Sequence, residues 1–252
     1  MPYRRLPNTD RARLSALRHA IQKASEAEYN EQVLDYKTIQ EAQRFLMQFE
    51  TLVMQYHDNF QSKVSANKQY VHVVKTARMY LSHFIQVLNM AVVRGEIKKE
   101  QKTLYGLDPH NHSVPDLTTE EAILLWGEKI IKGENERTAA GGFPIYNPAI
   151  NKVKVYYDIF KEQQMNHSFH KKNTSRAYEN VEQLRAQADE LIVDIWNKVE
   201  NHFKDNLPYK RLSLCKQYGV IYYYRSGEAH LTPETDKRLE KDAASQTSIQ
   251  WS

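Results

Sequence analysis

Histidine has the clearest capacity for chemistry in this chain, which contains ten histidines. Asp108, His110 and His112 follow a D-x-H-x-H spacing, which can bring two imidazoles and a carboxylate to one cation. His167 and His170 could also chelate, but neither Glu-x-x-His nor His-Glu-x-x-His occurs in the chain. Solvated loop histidines are the alternative interpretation. Asp108, His110 and His112 are therefore the candidate metal ligands.

A glycine-rich segment from Gly133 to Gly142 is the second candidate site. Glycines let backbone N–H groups turn towards an anion, and Arg137 could clamp that anion. The glycine patterns of phosphate-binding and dinucleotide-binding loops are absent. The alternative is a structural loop in which Arg137 pairs with Glu134 or with carbonyls at a helix end. Arg137, Gly141 and Gly142 remain candidate anion or small-ligand residues.

Positive charge is concentrated between Lys63 and Lys102, where eight Lys or Arg residues stand against two acids. Such a face could bind phosphate or nucleic acid, with Lys68 and Lys75 as its central candidates. No helix-turn-helix, zinc-finger or RNA-binding signature accompanies it. The alternative is a basic helix beside acidic neighbours in a bundle. The residues proposed for this face are Lys63, Lys68, Lys75, Arg78, Lys98, Lys99 and Lys102.

Signatures of nucleophilic catalysis are absent. Cys215 is the single cysteine, it has no histidine nearby in sequence, and no G-x-S-x-G motif occurs. We therefore predict no catalytic residue and no cofactor, and an enzyme is the less favoured class. The sixteen tyrosines fit a partly solvated core lining, with a protein–protein surface as the functional alternative.

Composition limits the compartment and the partners. The net charge of +4 permits an acidic partner without requiring one. No apolar run approaches the roughly 18 residues of a membrane span, so no membrane association is expected. The first ten residues are followed by no apolar stretch typical of a signal peptide. A lone cysteine fits a reducing compartment, and the cytoplasm is the expected location.

The distribution of glycine predicts the architecture. None of the 8 glycines precedes Gly95, and six lie between Gly95 and Gly142. Because glycine supplies turns and weakens helix interiors, two glycine-poor helical blocks should flank one irregular segment. We predict an all-α fold, an antiparallel long-helix bundle of two helical hairpins with a short extended C-terminal segment. The expected divisions are 1–100, 101–147 and 148–252.

Apolar periodicity supplies the expected helices. Steps of three and four residues predict one helix over Ala42–Phe60 and a separate one over Val74–Ala91. After residue 147, a break is expected at 166–173. A short helix near 118–131 should end at the glycines beyond it. Val220–Tyr224 reads as a strand, either an extended tail or half of a hairpin with residues after Gly227, and the polar end from Lys237 should fray.

Four sequence blocks support a resemblance: MPYRRLPNTD, SHFIQVLN, GENERTAAGGFPIYNP and KQYGVIYYY. Together they make the chain resemble an uncharacterised group of all-helical proteins from Bacteroidetes. The resemblance implies a helical fold and a bacterial origin, and it implies no activity and no site residue.

Three functions follow as hypotheses. The leading one is a non-enzymatic interaction or scaffold protein that binds a protein partner or self-associates. The second is an anion-binding or nucleic-acid-binding module that uses the basic third helix. The third is a metal or small-ligand enzyme built on the central loop.

Overall fold

A computed structural model describes residues 2–27 and 32–249, with side chains through residue 241. The described part confirms an all-α fold, in which two short strands accompany the helices. None of its helices carries an apolar stretch long enough to cross a bilayer. In chain order the elements are β1 (Tyr3–Arg4), α1 (Asp10–Glu26), α2 (Tyr36–Val93), a 3-10 helix (Lys99–Tyr105), α3 (Glu120–Ala139), α4 (Ile150–His202), α5 (Pro208–Gln217), β2 (Tyr222–Tyr223) and α6 (Pro233–Ile249).

Two helices are much longer than expected. α2 runs for 58 residues and α4 for 53. The break expected between Phe60 and Val74 and the break expected at 166–173 are both wrong, so the two predicted hairpins do not form as described. The polar stretches at these places contain no glycine or proline, and the helical ladder therefore continues through them.

The chain divides into two compact units. Unit 1 combines Met1–His57 with Arg176–Ser252, and unit 2 is Asp58–Ser175. These divisions differ from the expected boundaries near residues 100 and 147. The difference follows from the long helices, because α2 and α4 each contribute one part to either unit.

The apolar core of unit 1 is built around Trp196 of α4. Leu17 of α1 and Cys215 of α5 belong to the same cluster, and all three side chains are buried. Burial raises the pKa of the Cys215 thiol. A buried thiol with a raised pKa is a poor nucleophile, so Cys215 acts as a packing residue.

Two arginine–carboxylate pairs join α1 to α4. Arg13 donates to the two carboxylate oxygens of Asp189 at 2.8 and 2.9 Å. Arg185 donates to those of Asp10 at 2.9 and 2.8 Å. Bidentate pairs demand a defined mutual geometry, so they set the position of α1 along α4.

The extended segment pairs with the chain's N-terminal residues. β2 lies antiparallel to β1, with Tyr3 opposite Tyr223 and Arg4 opposite Tyr222. The segment is extended, as expected, but the alternative of a hairpin with residues after Gly227 is wrong. The polar stretch that was expected to fray from Lys237 is part of α6 as far as Ile249, and residues 250–252 lie outside the described residues.

The start of α2 gives a prediction on pH dependence. Asp35 accepts the backbone N–H of Thr38 at 2.8 Å, as a helix cap does, and Lys198 donates to it at 3.2 Å. Hydrogen bonds from Thr38, followed by those from Lys198, lower the pKa of Asp35 to about 2. The hydrogen bonds to ionised Asp35 should stabilise the folded state fully above the unfolded-state pKa of about 4. This stabilisation should disappear as the pH falls towards 2.

We therefore expect Asp35→Ala to lower the free energy of unfolding by at most about 1 kcal/mol at neutral pH. Solvent screening of the half-exposed carboxylate reduces this loss. Urea unfolding of both proteins from pH 7 to pH 2 measures the difference. Asp58→Ala, an exposed acid inside α2, is the control and should change stability little. If the destabilisation caused by Asp35→Ala did not vary with pH, the lowered pKa of Asp35 would be contradicted.

Unit 2 places α3 against the 3-10 helix. Thr119 caps α3 by accepting the N–H of Ala122 at 3.1 Å. The helix continues to Ala139, so the expectation that Gly133 ends it is wrong. Gly133 lies inside the helix, where the 3-10 helix approaches it at Tyr105.

Candidate ligand pocket and exposed helical stripe

A buried polar cluster occupies the contact between α3 and the 3-10 helix. Glu134 and Arg137 are almost fully buried, and Arg137 donates from Nη2 to Glu134 Oε1 at 2.9 Å. The hydroxyl of Tyr105 donates to Glu134 and accepts from Arg137 Nε at 2.7 Å. Every member of this cluster therefore has a polar partner, as buried polar groups require.

The cluster also holds the loop after α3. Arg137 Nη2 donates to the Phe143 carbonyl at 2.8 Å, and the Ile145 N–H donates to Glu134 Oε1 at 3.0 Å. Burial opposes the charge on Arg137, yet hydrogen bonds to Tyr105 and Glu134 raise the pKa of the guanidinium. Burial makes the largest contribution to raising the pKa of Tyr105, and its hydrogen bond to Glu134 makes the next largest. Tyr105 is therefore neutral at physiological pH. Arg137 therefore pairs with Glu134, as in the structural interpretation of this segment.

A pocket of about 480 Å³ adjoins this cluster. Arg137 and Gly142 line it, and the exposed rings of Phe143 and Tyr146 belong to its wall. Gly141, the other glycine candidate, has a φ of +88°, which turns the chain out of α3. The remaining lining residues are Val87, Ala91, Arg94, Glu96, Ile97, Gln101, Pro144 and Ile145.

The structure does not assemble Asp108, His110 and His112 into a metal site. Asp108 Oδ1 accepts the backbone N–H of His110 at 2.9 Å, and the His112 carbonyl accepts from Asn89 Nδ2 at 2.9 Å. In the described residues, no group of three His, Cys, Asp or Glu side chains is placed to hold a metal ion. The D-x-H spacing builds an Asx turn here, a local alternative to metal binding.

Two members of the predicted basic face have structural roles. Lys102 is fully buried and donates to the Asn111 carbonyl at 2.5 Å. Its burial lowers the pKa of the ammonium, an effect that Asp108 opposes. Arg78 donates to the Thr118 carbonyl at 2.7 Å, just before α3. These two residues hold loops in place and do not form a shared basic face.

Lys68 and Lys75 lie on an exposed stripe of α2. The α2 stripe consists of Val64, Lys68, Val71 and Lys75, whose 4-3-4 spacing places them along one side of the helix. Val64 and Val71 are 42% and 58% exposed. In the described part of the chain, neither lysine has an ion-pair partner.

The facing part of α4 in unit 2 is also basic and partly apolar. Tyr70 of α2 stacks on His167 of α4 with ring centroids 4.5 Å apart, so the helices touch here. Met165 and Phe169 are exposed on α4. The ranges 58–75 and 161–175 together contain six lysines and two acids, which makes this two-helix section strongly basic.

Comparisons with known protein families, curated proteins and solved structures gave no match. Fold and site geometry therefore carry the functional argument. They define an all-α protein with an exposed apolar and basic stripe on one long helix and a loop-walled pocket elsewhere in the same unit.

Proposed function

We propose that the protein is a non-enzymatic helical interaction module that binds an acidic, amphipathic helix of a partner protein along the α2 stripe. The observation that carries the proposal is the exposure of Val64 and Val71 beside Lys68 and Lys75, which have no ion-pair partner among the residues that the structure describes. Apolar residues one heptad apart, flanked by charges one heptad apart, form the pattern with which a helix recognises another helix. The buried thiol of Cys215 and the internally paired Arg137 also favour a non-enzymatic role.

The α2 residues around the stripe are only partly buried, which supports the proposal that a partner helix packs there. From His57 to Gln69 no residue of α2 is fully buried, whereas the apolar cluster of unit 2 begins at Tyr70. A partner helix lying on the stripe would remove the two valines from water. Each fully buried valine contributes about 1.5–3 kcal/mol, and partial burial contributes proportionally less.

Charge favours an acidic partner over a second copy of the chain. Two copies that met stripe to stripe would bring Lys68 and Lys75 close to the same lysines of the other copy. Like charges across an interface suppress pairing, whereas glutamates flanking an apolar stripe would satisfy both lysines. Self-association through this stripe is therefore the less favoured alternative.

The valines favour a protein over nucleic acid. Phosphate backbones are bound by cationic and polar side chains, and bases stack on aromatic or guanidinium planes. An exposed valine supplies neither contact, so Val64 and Val71 would gain little from a nucleic acid. The cytoplasm, inferred from the lone cysteine, remains the proposed location of this interaction.

A peptide titration tests the proposal. The probe is a fluorescein-labelled helical peptide of about three heptads, with a leucine stripe flanked by glutamates. We expect saturable binding by fluorescence anisotropy, weakened about tenfold or more by Lys68→Glu with Lys75→Glu, because attraction becomes repulsion. Val71→Asp should weaken binding similarly, because it buries an unpaired charge in the contact.

Lys98→Glu with Lys99→Glu is the matched control, since these exposed lysines lie outside the stripe and the charge change is identical. Its affinity should equal that of the unmodified protein, and circular dichroism should show equal helicity in all variants. Equal weakening by the control pair would mean that only total charge matters. Tight binding to double-stranded DNA that is insensitive to Val71→Asp would favour a nucleic-acid partner and contradict the proposal.

A further inference from the structure

In the wall of the pocket beside α3, the guanidinium of Arg137 has one nitrogen with no hydrogen-bond partner among the described residues. Arg137 bonds its neighbours through Nε and Nη2, but within the described residues no acceptor binds Nη1. A Cβ added to Gly142 would lie 2.7 Å from Nη1, so glycine at this position leaves the nitrogen approachable. A nearly fully buried guanidinium with an unused N–H group, in a pocket wall, is suited to an acceptor on a ligand.

The charges around the pocket are already paired. Glu134 neutralises Arg137, and Glu96 accepts from Arg94 at 2.6 and 2.9 Å. The pocket therefore offers N–H donors without net positive charge. A neutral carbonyl oxygen matches this environment, whereas a carboxylate would bring an uncompensated charge at a desolvation cost.

The rest of the lining is suited to an apolar body. Val87, Ala91, Ile97 and Ile145 provide aliphatic contacts, and Phe143 and Tyr146 provide rings that are 89% and 78% exposed. A volume of about 480 Å³ lies in the range of small-molecule sites. Exposed rings beside an aliphatic wall can close over an apolar ligand and gain burial.

We infer that this pocket binds a small apolar or aromatic molecule through a neutral carbonyl group that accepts a hydrogen bond from Arg137 Nη1. The site is independent of the α2 stripe, since the two share no residue. Binding would bury part of the exposed rings of Phe143 and Tyr146 against the ligand.

A ligand series on the unmodified protein tests the acceptor. The probes are phenylbutyramide, its carboxylate phenylbutyrate, and butylbenzene, which has no acceptor, each titrated by ligand-observed NMR. We expect the amide to bind about three- to tenfold more tightly than butylbenzene, the value of one hydrogen bond. The carboxylate should bind more weakly than the amide.

A pair of matched variants tests the location. Val87→Phe should fill the pocket and weaken amide binding at least tenfold, whereas Val92→Phe makes the same change on α2 outside the lining. Circular dichroism checks that both variants keep their helices. Butylbenzene binding as tightly as the amide, tighter binding of the carboxylate, equal loss in both variants, or no binding of any probe would each overturn the inference.

Discussion

Replacement of Glu134 by alanine is expected to destabilise the protein by about 3–5 kcal/mol, the cost of leaving one buried charge without its partner. The variant would leave Arg137 charged and buried, and it would remove the acceptor for the Ile145 N–H and the Tyr105 hydroxyl. Burial then disfavours the charged guanidinium, because no carboxylate remains to accept its hydrogen bonds. Urea unfolding followed by circular dichroism measures the loss.

Glu136→Ala is the matched control for this experiment. Glu136 lies on the same helix and forms an exposed pair with Lys132 at 3.8 Å, which is worth at most about 0.5 kcal/mol. A double variant, Glu134→Leu with Arg137→Met, should be more stable than Glu134→Ala, because apolar replacement of both partners leaves no unpaired charge. If Glu134→Ala lowered the free energy of unfolding as little as Glu136→Ala, Glu134 would not be part of a buried charge pair.

The second large effect is expected at Gly133. Glycine to alanine inside a helix ordinarily stabilises by about 1 kcal/mol. At Gly133 the new Cβ would lie 2.8 Å from both the Leu104 carbonyl oxygen and the Tyr105 Cα. Backbone atoms cannot move aside as a flexible side chain can, so we expect a net loss of about 2–3 kcal/mol from overpacking.

Asn135→Ala provides the comparison, because Asn135 is exposed on the same helix and alanine has the higher helix propensity. Thermal unfolding should show a lower Tm for Gly133→Ala and an unchanged or slightly higher Tm for Asn135→Ala. A stabilised Gly133→Ala variant would mean that the 3-10 helix does not approach α3 so closely.

Local signals in the sequence predicted much of the secondary structure. The residues before the apolar periodicity offer Asn8, Thr9 or Asp10 as the cap of α1 and Thr118 or Thr119 as the cap of α3. The structure uses Thr9 and Thr119. The stretch at 61–73 was less informative, because its polar residues fit an exposed helix as well as a loop. The pairing of β1 with β2 could not be predicted, since the strands are distant in sequence and each has only two residues.

The candidate sites were only partly visible in the sequence. The sequence left two alternatives for Arg137, a pair with Glu134 or with carbonyls at a helix end, and the contact with Tyr105 depends on tertiary packing. Lys68 and Lys75 were identified from charge alone. The contribution of Val64 and Val71 needed the structure, because periodicity does not show which apolar residues remain exposed. Asp108, His110 and His112 have metal-ligand spacing, yet the backbone uses Asp108 for a turn.

Charge exchange at the α2 stripe tests the proposed function most directly. The measurement is the affinity of the Lys68→Glu, Lys75→Glu protein for two helical peptides that share a leucine stripe, one flanked by glutamates and one by lysines. We expect the preference to reverse: this variant should prefer the lysine-flanked peptide, whereas the unmodified protein should prefer the glutamate-flanked one. If both proteins showed the same preference, or if neither bound a peptide, the α2 stripe would not be the helix-binding surface.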